Sequence, residues 1–123
     1  MRRGRDTQGE SRLTVVVADR HDFVRRALTD MIDVEPGFAV VAQAPDQDVL
    51  AVELDQRKPD LVLLEPAVLG TGGLVHLPQL LTVSPRTRAV VLSDERSEAL
   101  ERHAHGWAAV ATILKHAAPD DLF

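Results

Sequence analysis

Cysteine is absent from this chain, which removes a disulfide framework, any thiolate metal site and thiol redox chemistry. Positive charge is in deficit: 14 Lys and Arg stand against 19 Asp and Glu, for a formal net charge of -5. Such a segment repels a phosphate backbone, so direct nucleic-acid binding is not expected of it. Long hydrophobic runs are lacking as well, none approaching the roughly 18 residues of a membrane span. Met1-Arg2-Arg3-Gly4-Arg5 is followed by polar residues through Arg12, where a secretory signal needs an apolar stretch. No membrane partner and a cytoplasmic setting are the expectations.

What is present suits one domain with one core: 123 residues, 45% of them apolar. Residues 1–12 are charged and aperiodic and read as a disordered arm, leaving 13–123 as the folded domain. Leu13 to Ala18 is a continuous β-branched run of the kind buried on both faces of a sheet. Phe23, Val24, Ala27, Leu28, Met31 and Ile32 then recur at helical spacing, and Pro36-Gly37 ends the segment. The unit repeats. Phe38 to Ala42 precedes a helix from about Asp46 to Lys58, and Leu61 to Leu64 precedes a helix within Leu74 to Leu81. Ala89 to Leu92 precedes a helix from about Arg96 to His105, and Val110 to Leu114 makes a fifth strand. Five apolar strands alternating with helices specify a doubly wound parallel sheet, because parallel neighbours need crossovers and crossovers lay helices over the faces. The common order at this size is the flavodoxin-like 2-1-3-4-5. Of a fifth helix only a first turn at Pro119-Asp120-Asp121 is written, so the natural chain is expected to continue.

In such sheets ligands gather at the carboxyl ends of the strands. Those ends carry Asp19 and Arg20, then Glu65, Ser93 and Lys115. The stretches Val15-Val16-Val17-Ala18-Asp19-Arg20-His21, Lys58-Pro59-Asp60-Leu61-Val62-Leu63-Leu64-Glu65, Ala89-Val90-Val91-Leu92-Ser93 and Ile113-Leu114-Lys115 resemble the receiver (CheY-like) domains of two-component response regulators. The nearest subfamily in character carries a LuxR-type helix-turn-helix output domain. The resemblance implies two acidic residues holding Mg²⁺ after the first strand and a phosphoacceptor aspartate after the third. It also implies a Ser or Thr on the phosphoryl group and a lysine paired with it, which Ser93 and Lys115 match.

The departures fall on the chemistry. Arg20 stands where the resemblance implies the second metal-contacting acid, so a cation replaces an oxygen donor and Mg²⁺ binding is expected to be lost. Glu65 stands at the phosphoacceptor position, its extra methylene directed toward the space of the phosphoryl group. The aromatic switch position falls on Thr112, and the usual proline after the acceptor falls on Leu69, although Gly73 matches a glycine further on. Charges at strand ends need partners in a partly desolvated crevice, so Arg20 and Lys115 are expected to neutralise Asp19 and Glu65.

Other motifs carry less. His103 and His105 are two apart, about 200° around a helix, and cannot chelate one ion. Gly70-Thr71-Gly72-Gly73 matches no phosphate-loop spacing and reads as a turn. Ser93 has no nucleophile elbow around it. Trp107, the only tryptophan, either packs on its own sheet edge or marks an interface. The sequence therefore points to a non-enzymatic regulatory module that needs no cofactor. It would dimerise or dock a partner protein and reach DNA only through a further domain. Two rivals are a crevice that senses a small molecule and a receiver still phosphorylated by a histidine kinase.

Overall fold

The computed structural model describes residues 3–5, 11–93 and 109–114. A short strand β1 (Arg3–Arg5) precedes β2 (Ser11–Ala18), α1 (Asp22–Asp33), β3 (Phe38–Ala44), α2 (Gln47–Arg57) and β4 (Leu61–Leu64). Three-residue-per-turn helix at Pro66–Leu69 and Gly73–His76 leads into one α-turn, α3 (Leu77–Leu80), and a last tight turn at Leu81–Val83. β5 (Arg88–Ser93) and β6 (Ala109–Leu114) complete the sheet. Among the described residues no helix is long and apolar enough to cross a membrane.

Five strands run parallel in the order β3-β2-β4-β5-β6, the doubly wound arrangement the alternation predicts. The expected arm at residues 1–12 departs from that picture: Arg3–Arg5 pairs antiparallel with Ser11–Leu13. Leu13 pairs with Arg3 and also with Phe38, so β1 and β3 lie on opposite flanks of β2. Arg-Gly-Arg carries no strand signal of its own. Its pairing rests on backbone groups of β2 that extend below the start of β4, which first meets β2 at Val15.

Side-chain alternation divides the core into two layers. Val16, Ala18, Val62, Leu64, Ala89 and Val91 face Leu50 and Leu54 of α2 and the turns containing Val68, Leu69, Leu74, Leu77 and Leu81. Val15, Val17, Leu63 and Leu92 face Leu28 and Ile32 of α1, with Val24, Met31 and Val90 packed around them. Of the strand residues, Val16, Val62, Leu63 and Val91 are buried and Val90 is half-buried. The side chain of Ile113 lies outside the described residues, as do the helix expected over 96–105 and the fifth-helix turn.

Local chemistry sets the element ends. Asp46 caps α2 by accepting from the Val49 N–H at 2.9 Å, a contact worth about 1 kcal/mol. Lys58 closes the same helix in the left-handed conformation, φ 45°, ahead of Pro59. The helix expected within Leu74 to Leu81 is present as the single α-turn α3 at Leu77–Leu80, with tight turns on either side of it. Gly70, Gly72 and Gly73 all take positive φ, so the segment starts as a glycine turn, and Pro78 cannot donate to a continued helical ladder.

A buried polar clamp holds the amino-terminal pole. The Asp60 carboxylate, in a residue only 2% exposed, accepts from Thr14 N at 2.9 Å and Thr14 Oγ1 at 3.3 Å, while Asp60 N donates to Thr14 Oγ1 at 3.0 Å. Arg88 N donates to Asp60 O at 3.0 Å, and Thr87 Oγ1 donates to Pro59 O at 2.6 Å. β2, β4 and β5 are thereby fixed in register, with Val15, Leu61 and Arg88 level. Replacing Asp60 with Ala strands Thr14 donors in the core and is expected to cost about 1–3 kcal/mol. Urea melts of Asp60→Ala and Thr14→Val, with their double variant, measure it. Additive effects would show that the two residues are not coupled.

Candidate functional site

The same register brings the carboxyl ends level: Ala18, Leu64 and Val91 are paired across the three strands, so Asp19 and Glu65 leave the sheet side by side. Their backbones stay in the ladder. Asp19 N donates to Ala44 O at 3.1 Å, and Glu65 N donates to Ala18 O at 2.9 Å. Both side chains are buried, Asp19 at 0% and Glu65 at 8% exposure.

Beyond Asp19 the chain turns on the side chain of that residue. Asp19 Oδ1 accepts from His21 N at 2.8 Å, closing a turn whose tip is Arg20. This geometry folds the His21 ring back until Nδ1 lies 3.2 Å from the same carboxylate oxygen. His21 precedes α1 in extended conformation but gives the helix no side-chain cap, its ring being committed to Asp19. Arg20, at the turn tip, is exposed. Arg25 fastens the turn from α1: Nη1 donates to Asp19 O at 3.0 Å, Nη2 to Asp22 Oδ1 at 2.7 Å, and Nε to Gln43 Oε1 at 3.2 Å.

Glu65 is also tied locally. Its Oε2 accepts from Ala67 N at 2.6 Å and so caps the tight turn at Pro66–Leu69. The other oxygen, Oε1, is buried and has no hydrogen-bond partner among the described residues. Asp19, His21 and Glu65 each bring one potential ligand atom to within 4.8 Å of the others.

The predicted constellation is therefore assembled in part. Asp19 and Glu65 are together. The ion pair expected between Arg20 and Asp19 is not formed among the described residues, where Arg20 makes no ion pair and His21 lies against the Asp19 carboxylate. The reason is the turn, which uses Asp19 to hold the residue two positions on and leaves the intervening one outside. Ser93 ends β5 opposite Leu114 and Thr112 pairs with Val91, but their side chains, and Lys115, Trp107, His103 and His105 entirely, lie outside the described residues. His21 and Arg25 were not singled out by sequence reasoning. The signal for His21 was its spacing of two from an aspartate at a strand exit, where Asp commonly bonds the backbone two residues on.

A doubly wound α/β domain with paired carboxylates at the carboxyl ends of adjacent strands is the class that fold and site define. The family model described as "Response regulator receiver domain" matches residues 15–123. The chain is 33% identical over 114 residues to the nitrate/nitrite response regulator protein NarL of Escherichia coli (strain K12), covering 89% of this chain and 50% of that protein. It is 28% identical over 106 residues to protein-glutamate methylesterase/protein-glutamine glutaminase 2 of Rhodospirillum rubrum, covering 85% and 29%. Among solved structures, a LuxR-family two-component response regulator from Aurantimonas sp. SI85-9A1 superposes with a TM-score of 0.82 at 24% identity, over 91% of this chain and 80% of that one. The response regulator domain of Thermotoga maritima CheB gives 0.75 at 27%, over 88% and 81%. The chain belongs to the response regulator receiver domain family. It spans half or less of the length of these two curated relatives.

The capping role of Glu65 makes a stability prediction. Glu65→Ala removes the acceptor of Ala67 N and is expected to cost about 1 kcal/mol, whereas His21→Ala, at an exposed ring, is expected to stay within about 0.5 kcal/mol of the parent. Thermal melts at one pH compare them, and an equal loss for both would contradict the geometry.

Proposed function

We propose that this receiver domain works without phosphate, as a protein-interaction module that controls a transcription regulator with a LuxR-type output domain. The observation that carries the reading is Glu65. At the acceptor position implied by the family resemblance stands a longer carboxylate that already caps its own following turn through Ala67 N. An attacking oxygen must approach the phosphoryl group in line, and a side chain tethered in this way is poorly placed to do so.

The Mg²⁺ implied by the family meets an unsuitable donor set. Mg²⁺ asks for near-octahedral oxygen ligation. Here Asp19 Oδ1 accepts from His21, Glu65 Oε2 accepts from Ala67 N, the third converging atom is an imidazole nitrogen, and Arg20 adds positive charge at the rim. Signalling then rests on contacts with a second copy or a partner protein, with DNA reached through a further domain and no enzymatic step in this one. Regulation of this kind is proposed from the relatives named NarL and LuxR family, which this chain matches over part of their length.

A second reading, in which a small molecule replaces phosphate, is favoured by one observation. A pocket of about 370 Å³ opens beside the crevice, lined by Arg20, Asp46, Gln47, Asp48, Ala67 and Gly70 among others.

Mg²⁺ with beryllofluoride, a phosphoryl mimic, is expected to leave Trp107 fluorescence unchanged in the parent chain. The paired substitution Arg20→Asp with Glu65→Asp is expected to create a saturable response. A saturable response in the parent, lost in Asp19→Ala, would return the domain to the phosphate-dependent receivers.

A further inference from the structure

We infer that the pocket bordered by the turns after β2, β3 and β4 is a site for a free α-amino acid, held as a zwitterion between Arg20 and the carboxylates of Asp46 and Asp48. The inference rests on the second reading above, in which a small molecule replaces phosphate, and it names the class of that molecule.

The sheet builds the pocket. Asp19 N donates to Ala44 O and Glu65 N to Ala18 O, so the exits of β3, β2 and β4 are held side by side. The turns that leave them border a volume of about 370 Å³. That is near the lower end of small-molecule sites, which run from roughly 300 to 1,000 Å³, and it suits a ligand of amino-acid size. Part of the wall is apolar: Pro45, Ala67 and the buried Val68 offer contact to a short aliphatic side chain.

Charge selects the ligand. The lining carries one cation, Arg20, and two acids, Asp46 and Asp48. All three are exposed, and among the described residues none of them forms an ion pair. Opposite charges that border one pocket without closing on each other leave room for a molecule carrying the complementary pair. The Arg20 guanidinium can give a carboxylate two parallel hydrogen bonds. Asp46 Oδ1 already accepts from Val49 N at 2.9 Å, which leaves its Oδ2, with Asp48, for an ammonium group. Ligands of a single sign fit less well. A phosphate or dicarboxylate meets two acids against one arginine, and the nearby backbone donors are engaged, Ala67 N with Glu65 Oε2 and Gly70 N with Ala67 O. A simple amine leaves Arg20 unpaired and meets its like charge. Occupancy joins the turn after β2, the first turn of α2 and the turns after β4 through one molecule.

Calorimetric titration of the chain with three probes tests the assignment: L-valine, 3-methylbutanoate, which lacks its ammonium group, and isobutylamine, which lacks its carboxylate. Saturable binding of L-valine is expected, with a rise in melting temperature. The two analogues are each expected to bind about tenfold more weakly or worse, since each has lost one charge-assisted contact. Arg20→Gln and Asp48→Asn are each expected to weaken L-valine by about tenfold or more. Both side chains are exposed, so the ligand-free melting temperature of either variant is expected to stay close to that of the parent. No saturable binding of L-valine, or binding unaffected by Arg20→Gln or by Asp48→Asn, overturns the site. Saturable binding of 3-methylbutanoate or isobutylamine as tight as that of L-valine overturns the zwitterion while leaving the small-molecule reading in place. Loss of the phosphate-independent reading shows separately, as a beryllofluoride response in the parent chain.

Discussion

The Asp60 carboxylate is the constraint on which the rest of the structure depends. It lies at the opposite pole from the crevice, yet it determines what the crevice contains. Strands of period two tolerate no slip of one residue without turning every side chain to the other face. By binding Thr14 through backbone and hydroxyl, and by offering its own carbonyl to Arg88, Asp60 locks three strands at one level. Five residues on from Thr14 and Asp60, β2 and β4 deliver Asp19 and Glu65 together. Deep polar bonding at one end thus replaces any need for the two acidic residues, which repel each other, to be brought together by mutual attraction.

The sheet was legible because parallel strands buried on both faces read as apolar runs, as Val15 to Ala18 in β2, Leu61 to Leu64 in β4 and Ala89 to Leu92 in β5 do. The second helix was equally plain, since Asp46 and Lys58-Pro59 mark its two ends in side-chain chemistry that acts locally. Legibility failed where structure depends on backbone pairing without a side-chain signature, as at Arg3–Arg5. It was partial between β4 and β5, where the helix read from apolar spacing shortens to one α-turn, because glycines with positive φ and Pro78 impose tight turns around it.

At the site, the sequence named two strand ends that meet, Asp19 and Glu65, but gave Asp19 the neighbour Arg20, which makes no ion pair among the described residues. Opposite charge made Arg20 the natural counter-ion of Asp19. Geometry decided otherwise, because an aspartate that accepts from the backbone two residues on places the intervening side chain outside the turn and the second one inside. A charge count cannot see this, whereas the short hydrogen-bond rule for Asp can. Arg25 was hidden for a related reason. It reads as one residue of a polar helix face, but its long stem lets the head reach the Asp19 carbonyl, binding helix and strand end together.

The run of tight turns from Pro66 to Val83 has a consequence for how the domain breathes. Turns closed by bonds between residues three apart hold their amide hydrogens less securely than the ladder of a central strand. Among the described residues, amide exchange is therefore expected to be faster in this wall than in β2 and β4. Glu65 stands at the hinge between the two regimes, its N–H in the sheet ladder and its carboxylate on the first amide of the wall. Whatever engages that carboxylate acts on the sheet ladder and on the wall of turns at once.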